Sequence, residues 1–261
     1  MVTIPRPVPP LPPKFTLNKG LPAADAFDWL GAGWRDFKIK PAPSLFYGLA
    51  VFIVSVAVVW GLFELAMDYI LLPVLAGFMV VGPALAIGLY EKSRRIIEGE
   101  PVTLSKMILV KPKSGGQILF IGVLLCLLML LWMRTAVLLY ALFFGLQPFP
   151  GLGEILPMLL TTPIGWSLLG VGTLIGGLFA AFSFAISAFS VPMLLNERVD
   201  ALTAMGTSMA LVWNNLPVML VWGIVVLALF LASVATGLVG LIVVFPILGH
   251  ATWHAYRALR R

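Results

Sequence analysis

Six stretches of this chain are each apolar over about the 20 residues needed to cross a hydrocarbon core of roughly 30 Å. They run Ser44–Leu65, Tyr69–Tyr90, Gln117–Leu138, Ile164–Leu194, Leu216–Val234 and Gly237–Tyr256. The last two form one run, which Thr236-Gly237 splits into a hairpin; without that turn the count is five. Ala136–Leu146 is also apolar, so the third helix is either long and tilted or broken near its outer end. Of the 261 residues, 61% are hydrophobic and 11% charged, against roughly 25% charged in an average globular domain. A soluble surface could not stay wet with that composition. The expected fold is an all-α membrane protein of six transmembrane helices, arranged as three hairpin repeats, each preceded by a cytoplasmic interfacial amphipathic helix.

The placement of Lys and Arg sets the orientation. Before the first span stand Arg6, Lys14, Lys19, Arg35, Lys38 and Lys40, and the second-to-third connection adds Lys92, Arg94, Arg95, Lys106, Lys111 and Lys113. Arg198 follows the fourth span, and Arg257, Arg260 and Arg261 end the chain. The opposite connections hold Glu64, Asp68 and Glu154 but no Lys or Arg. Cytoplasmic loops attract cations, so both termini are expected in the cytoplasm, which an even number of spans requires. The net charge of +6 is dispersed between apolar runs and forms no basic stripe, so no nucleic-acid partner is expected. The single cysteine, Cys126, permits no intrachain disulfide.

Residues 1–22 carry seven prolines and no apolar core of a signal peptide, and read as an extended or disordered cytoplasmic tail. Residues 23–261 read as one polytopic domain. Phe27, Leu30, Trp34 and Phe37 recur at helical spacing, as do Leu202, Met205, Met209 and Val212, with a weaker copy over Pro101–Val110. Such helices are expected to lie in the interface with their apolar side in the acyl boundary. A shift of 175 pairs Asp25, Ala26, Gly31 and Gly48 with Asp200, Ala201, Gly206 and Gly223. A shift of 163 pairs Pro83 and Arg94 with Pro246 and Arg257. The repeats implied are 23–95, 98–195 and 199–257.

Gly33-Trp34-Arg35-Asp36-Phe37 leading to Tyr47-Gly48, Gly82-Pro83 with Gly88-Leu89-Tyr90-Glu91, and Gly249–Arg257 resemble a bacterial family of integral membrane proteins, domain of unknown function 2189. The resemblance spans about residues 22–257, with the C-terminal run its most specific part, and implies a bacterial inner-membrane protein without an assigned activity. Some relatives carry a label linking them to cytochrome c oxidase subunit I. A haem–copper core needs several histidines on different helices. This chain has two, His250 and His254, four apart on one helix, which excludes the catalytic subunit and leaves an accessory one.

His250 and His254 have the spacing of a two-point metal ligand set, but no carboxylate or cysteine accompanies them on their helix, so no metal or other cofactor is expected. The favoured reading puts His250, Trp253, His254 and Tyr256 in an aromatic belt at the inner leaflet. Phe27, Trp34 and Phe37 are the matching contacts of the first interfacial helix. Arg134 falls about 25 Å along its span at 1.5 Å per residue, near the outer interface, where Glu154, Glu64 or Asp68 could pair with it. Pro83, Pro192 and Pro246 should kink their spans. Gly172 and Gly176 permit a close helix contact, within the chain or with another. The Gln147–Pro163 loop reads as a connector. No phosphate-cradling loop, nucleophile elbow or carboxylate pair is present. The function expected is a non-catalytic accessory or scaffold subunit of a larger inner-membrane assembly, of respiratory type, in contact with lipid and other membrane subunits. The alternative is a carrier or handler of an apolar or lipid molecule.

Overall fold

The structure, a computed structural model, describes residues 17–145 and 149–260, and all regular secondary structure among them is helical. In chain order the helices are α1 (Asp25–Lys38), α2 (Pro41–Glu64), α3 (Leu71–Leu85), α4 (Ile87–Ile97), α5 (Leu104–Ile108) and α6 (Gly115–Phe144). After these come α7 (Leu152–Thr161), α8 (Pro163–Ser187), α9 (Ser190–Asn196), α10 (Ala201–Asn214), α11 (Leu216–Ala235) and α12 (Leu241–Leu259). Five stretches are long and apolar enough to cross a membrane: α2, α3 with α4, α6, α8 with α9, and α11. The sixth expected span, α12, is a 19-residue helix but is not among the five. Its C-terminal half carries His250, Thr252, His254 and Arg257.

Backbone conformation explains where the helices stop. Thr162 caps α8, its hydroxyl accepting from the Gly165 amide, and Asp200 caps α10 by accepting from Thr203. The turn between α11 and α12 puts Gly237 at φ +62°, a left-handed conformation that glycine adopts without a Cβ clash. The α8–α9 break falls at Ala188–Phe189; a proline clashes with the carbonyl four residues earlier, and here Pro192 sits four after Ala188. Ser208 of α10 covers that break, accepting from the Phe189 amide and donating to the Ala185 carbonyl. At the α3–α4 break, just after Pro83, the Leu85 carbonyl accepts from the Tyr47 hydroxyl at 2.5 Å. α12 runs unbroken through Pro246. The third expected span is one continuous 30-residue helix, α6, rather than a broken one.

The two ends of the bundle differ. At one end the first and last described segments meet: the Asn18 amide donates to the Leu259 carbonyl at 2.9 Å and its side chain to the Ala258 carbonyl at 2.7 Å. Asn215 clamps the same segment, accepting from the Leu21 amide and donating to the Asn18 carbonyl. This termini end holds the main core, with Leu89, Tyr90, Phe189, Met193, Trp253 and Tyr256 all buried. The hairpin end has a smaller cluster around Phe230, Leu238 and Leu241. Only 11% of the most apolar window of α2, and of α6, is buried, against 61% for α8 with α9. The flanks of α2 and α6 therefore present hydrocarbon outward.

Three expectations change here. Residues 17–21 of the proposed tail are hydrogen-bonded to α12 and the α10–α11 junction rather than loose, while residues 1–16 lie outside the described residues. Lys92, Arg94 and Arg95 stand on α4, not in a loop, because the helix restarts after Ala86 and carries on to Ile97. The Gln147–Pro163 connector contains α7, which packs on α8 through Gly165; Gln147 and Pro148 lie outside the described residues.

Candidate functional site

Helix α1 lies along α12 because small residues let the backbones approach. A Cβ on Gly33 would collide with the Ile247 carbonyl and with Ala251 of α12. Gly48 of α2 gives α12 the same access near Ile242 and Pro246. The buried face of α1 is Ala26, Trp29, Ala32, Gly33, Asp36 and Phe37, and Trp29 meets Trp222 of α11 edge-on. Of the residues expected to face the interface, Phe27 and Trp34 are exposed, but Phe37 is buried in the protein. Helix α10 follows the same rule, burying Ala201, Ala204, Ser208 and Leu211 and exposing Leu202 and Met209.

Close packing places polar groups from four helices in one buried cluster. The His250 ring on α12 is fully buried. Its Nε2 is 2.9 Å from Ser44 Oγ of α2, and its Nδ1 is 2.9 Å from Ser93 Oγ of α4 and 3.2 Å from the Leu89 carbonyl. Lys92, also fully buried, donates to Ser44 Oγ at 2.8 Å and to the Lys40 carbonyl at 3.1 Å. One turn along α12, His254 Nε2 lies 2.8 Å from Asp36 Oδ2 of α1. Burial pushes the Asp36 carboxyl up, but hydrogen bonds from His254 and Ser93 outweigh it and hold the group below the usual carboxylate range.

The inner-leaflet belt expected of His250, Trp253, His254 and Tyr256 is therefore corrected. His250, Trp253 and Tyr256 point into the protein, where Trp253 packs on Tyr256 at 5.4 Å, and His254 is spent on Asp36. In a membrane protein, polar and small residues can be the ones turned inward, because lipid accepts the apolar ones.

A second cluster fastens the chain's end. Glu197 accepts from Arg260 through both oxygens, at 2.6 and 2.7 Å, and from the Tyr256 hydroxyl at 2.6 Å. Those bonds raise the Arg260 guanidinium above its ordinary value against the opposing pull of burial. Ser114 donates to the Glu197 carbonyl and accepts from the Val199 amide, tying α6 to the α9–α10 corner. Glu91 of α4, buried, is clasped by Arg94 and Arg95 of its own helix.

A serine flanked by a lysine and a histidine is a combination that can activate a nucleophile. Here Ser44 has no exposed surface, so no electrophile reaches its oxygen in this conformation. No group of three or more His, Cys, Asp and Glu able to hold a metal occurs among the described residues. Arg134 is exposed on α6 and forms no ion pair with Glu154, Glu64 or Asp68 among the described residues. Glu64 instead accepts from the Trp60 indole. Gly176 takes the Trp132 ring of α6, so that half of the expected glycine contact is internal, while Gly172 has open space.

The family model described as Predicted integral membrane protein (DUF2189) matches residues 71–196. The DUF2189 match covers α3 through α9, including Gly82-Pro83 and Gly88–Glu91. It is narrower than the 22–257 expected, and the Gly33–Phe37 and Gly249–Arg257 runs fall outside it. Lys92 and Ser93 are thus inside the DUF2189 segment, while Asp36, Ser44, His250 and His254 come from the flanking helices. Comparison with curated proteins and with solved structures gives no match.

Sequence reasoning missed Lys92, Ser44, Ser93, Asp36, Glu197 and Arg260. A signal existed for Asp36, which shares a helical face with Trp29, Ala32 and Gly33.

Proposed function

We propose that this chain is a six-span protein of the bacterial inner membrane with both termini cytoplasmic, and that it acts as a non-catalytic accessory or scaffold subunit of a larger membrane assembly. Support for the sixth crossing comes from the Asn18–Leu259 bond, since ends that meet require an even number of crossings. Exposed Arg35, Lys38, Lys40, Lys111, Lys113 and Arg198 adjoin the termini end, and Glu64, Asp68 and Glu154 adjoin the other, in keeping with cations held inside. The triplicate plan is supported by the short helices α1, α5 and α10, each of which precedes an outgoing span. Phe27, Trp34, Leu202 and Trp213 are the exposed side chains that suit an interfacial seat for these helices.

One observation carries the scaffold reading. α8 packs on its own chain through Gly176 and leaves Gly170, Gly172 and Gly177 with open space above their backbone, a face on which another helix can approach closely. The test is crosslinking in the membrane followed by purification from the native host in gentle detergent, with respiratory complexes examined first. Stoichiometric recovery of a defined membrane partner is expected; a lone monodisperse protein would refute the reading. The alternative, a handler of lipid, draws on an apolar groove of about 430 Å³ lined by Phe143, Phe144, Met158, Thr162, Pro163 and Ile164. A bound acyl lipid in that lone protein is the result that favours it.

A further inference from the structure

The buried cluster has a direction, which hydrogen-bond chemistry fixes. A carbonyl only accepts, so the approach of His250 Nδ1 to the Leu89 carbonyl requires the hydrogen to be on Nδ1. Nε2 then bears the lone pair and accepts from the Ser44 hydroxyl. With its hydrogen committed, Ser44 meets Lys92 as an acceptor, and Lys92 has only hydrogens to give. On the other side Nδ1–H faces Ser93 Oγ, which leaves the Ser93 hydrogen to give, and the Ser93 hydroxyl is one of the groups that lower the Asp36 carboxyl. His254 donates to the same carboxylate, and its side chain is 23% exposed.

We propose that Lys92, Ser44, His250, Ser93 and Asp36 form a directed hydrogen-bond wire along which a proton passes between the buried Lys92 amine and the Asp36 carboxylate, with His254 as the contact to water. In one pass Lys92 gives a proton to Ser44, whose own proton goes to His250 Nε2. His250 releases its Nδ1 proton to Ser93, and Ser93 passes its own to Asp36. The ammonium and carboxylate become amine and acid, the imidazole changes tautomer, and no atom is gained or lost. The shifted state leaves a bare Nδ1 facing the Leu89 carbonyl, so the charged pair is the resting form. The wire lets the charge of a lysine sealed from water follow the proton supply at the termini end.

The charged groups around it are accounted for helix by helix. α1 adds Arg35 and Lys38, both exposed, and Asp25 and Asp28 two to three turns back from Asp36. Lys40 offers its carbonyl, α4 adds Glu91 held by Arg94 and Arg95, α5 adds Lys106, and α12 adds exposed Arg257.

Two histidines make the test tractable. The full chain, labelled with ¹⁵N-histidine in lipid nanodiscs, gives two imidazoles, and His254→Asn identifies which is His250. At neutral pH the His250 Nδ1 should resonate as a protonated nitrogen and Nε2 as a bare one. Asp36→Asn and Lys92→Met, neither a hydrogen-bond partner of the ring, should each move both resonances toward one another. The wire is overturned by an Nε2–H tautomer or an imidazolium at His250 in the unmodified protein, a result that needs neither Asp36→Asn nor Lys92→Met to fold. It is also overturned if both variants fold and leave the His250 pair unmoved.

Discussion

The termini end and the hairpin end of this bundle are built from the same helices under different rules. At the termini end, glycine contacts bring α1 and α2 onto α12, and polar side chains from four helices satisfy one another. At the hairpin end, apolar side chains of α2, α6 and α8 face outward, and Gly172 has nothing over it. Burial of apolar surface gains little when the surroundings are already hydrocarbon, so close packing and hydrogen bonds must hold the helices together. The termini end has both, and the contrast predicts where the chain tolerates change.

The largest effect is expected from Gly33→Val, whose side chain would meet the α12 backbone. It should cost about 3 kcal/mol or prevent recovery of folded protein, while Gly172→Val stays within about 0.5 kcal/mol. Thermal unfolding in detergent, followed by tryptophan fluorescence, compares the two, and equal losses would erase the distinction between the ends. Next comes Glu197→Ala, which removes the carboxylate that Arg260 and the Tyr256 hydroxyl share and should cost about 2 kcal/mol in the same assay.

The third prediction concerns pH. The folded Asp36 group lies below its unfolded value of about 3.9. Its contribution is therefore present above that value and is lost as pH falls through the lower folded one. The melting temperature should drop on acidification below about pH 4, with part of that drop missing in Asp36→Asn. The smallest effect belongs to the hairpin half: Arg134→Ala should change stability by no more than about 0.5 kcal/mol.

Much of this contrast was hidden in the sequence for a physical reason. Apolar runs marked the spanning stretches well, since Leu216–Val234 became α11 at Leu216–Ala235 and the Thr236-Gly237 turn stands where it was expected. Inward and outward faces could not be read the same way. Apolar spacing on α1 selected Phe27 and Trp34, which face out, whereas Ala32, Gly33 and Asp36 make the contact with α12. The two histidines suggested a surface belt because their partners Ser44, Ser93 and Asp36 lie more than 150 positions away, and nothing local announces them. Lys92 looked like a loop cation since the break at Ala86 concealed a helix that carries on past the apolar run.

The seat of α1 has a bearing on how the protein is made. The surface it packs on belongs to α12, more than 200 residues later in synthesis. α1 must therefore wait, with Gly33 and Asp36 unmatched, until α12 has emerged. A nascent chain halted before residue 241 has spans to insert but no α12 on which to dock α1, so this contact closes only once α12 has been made.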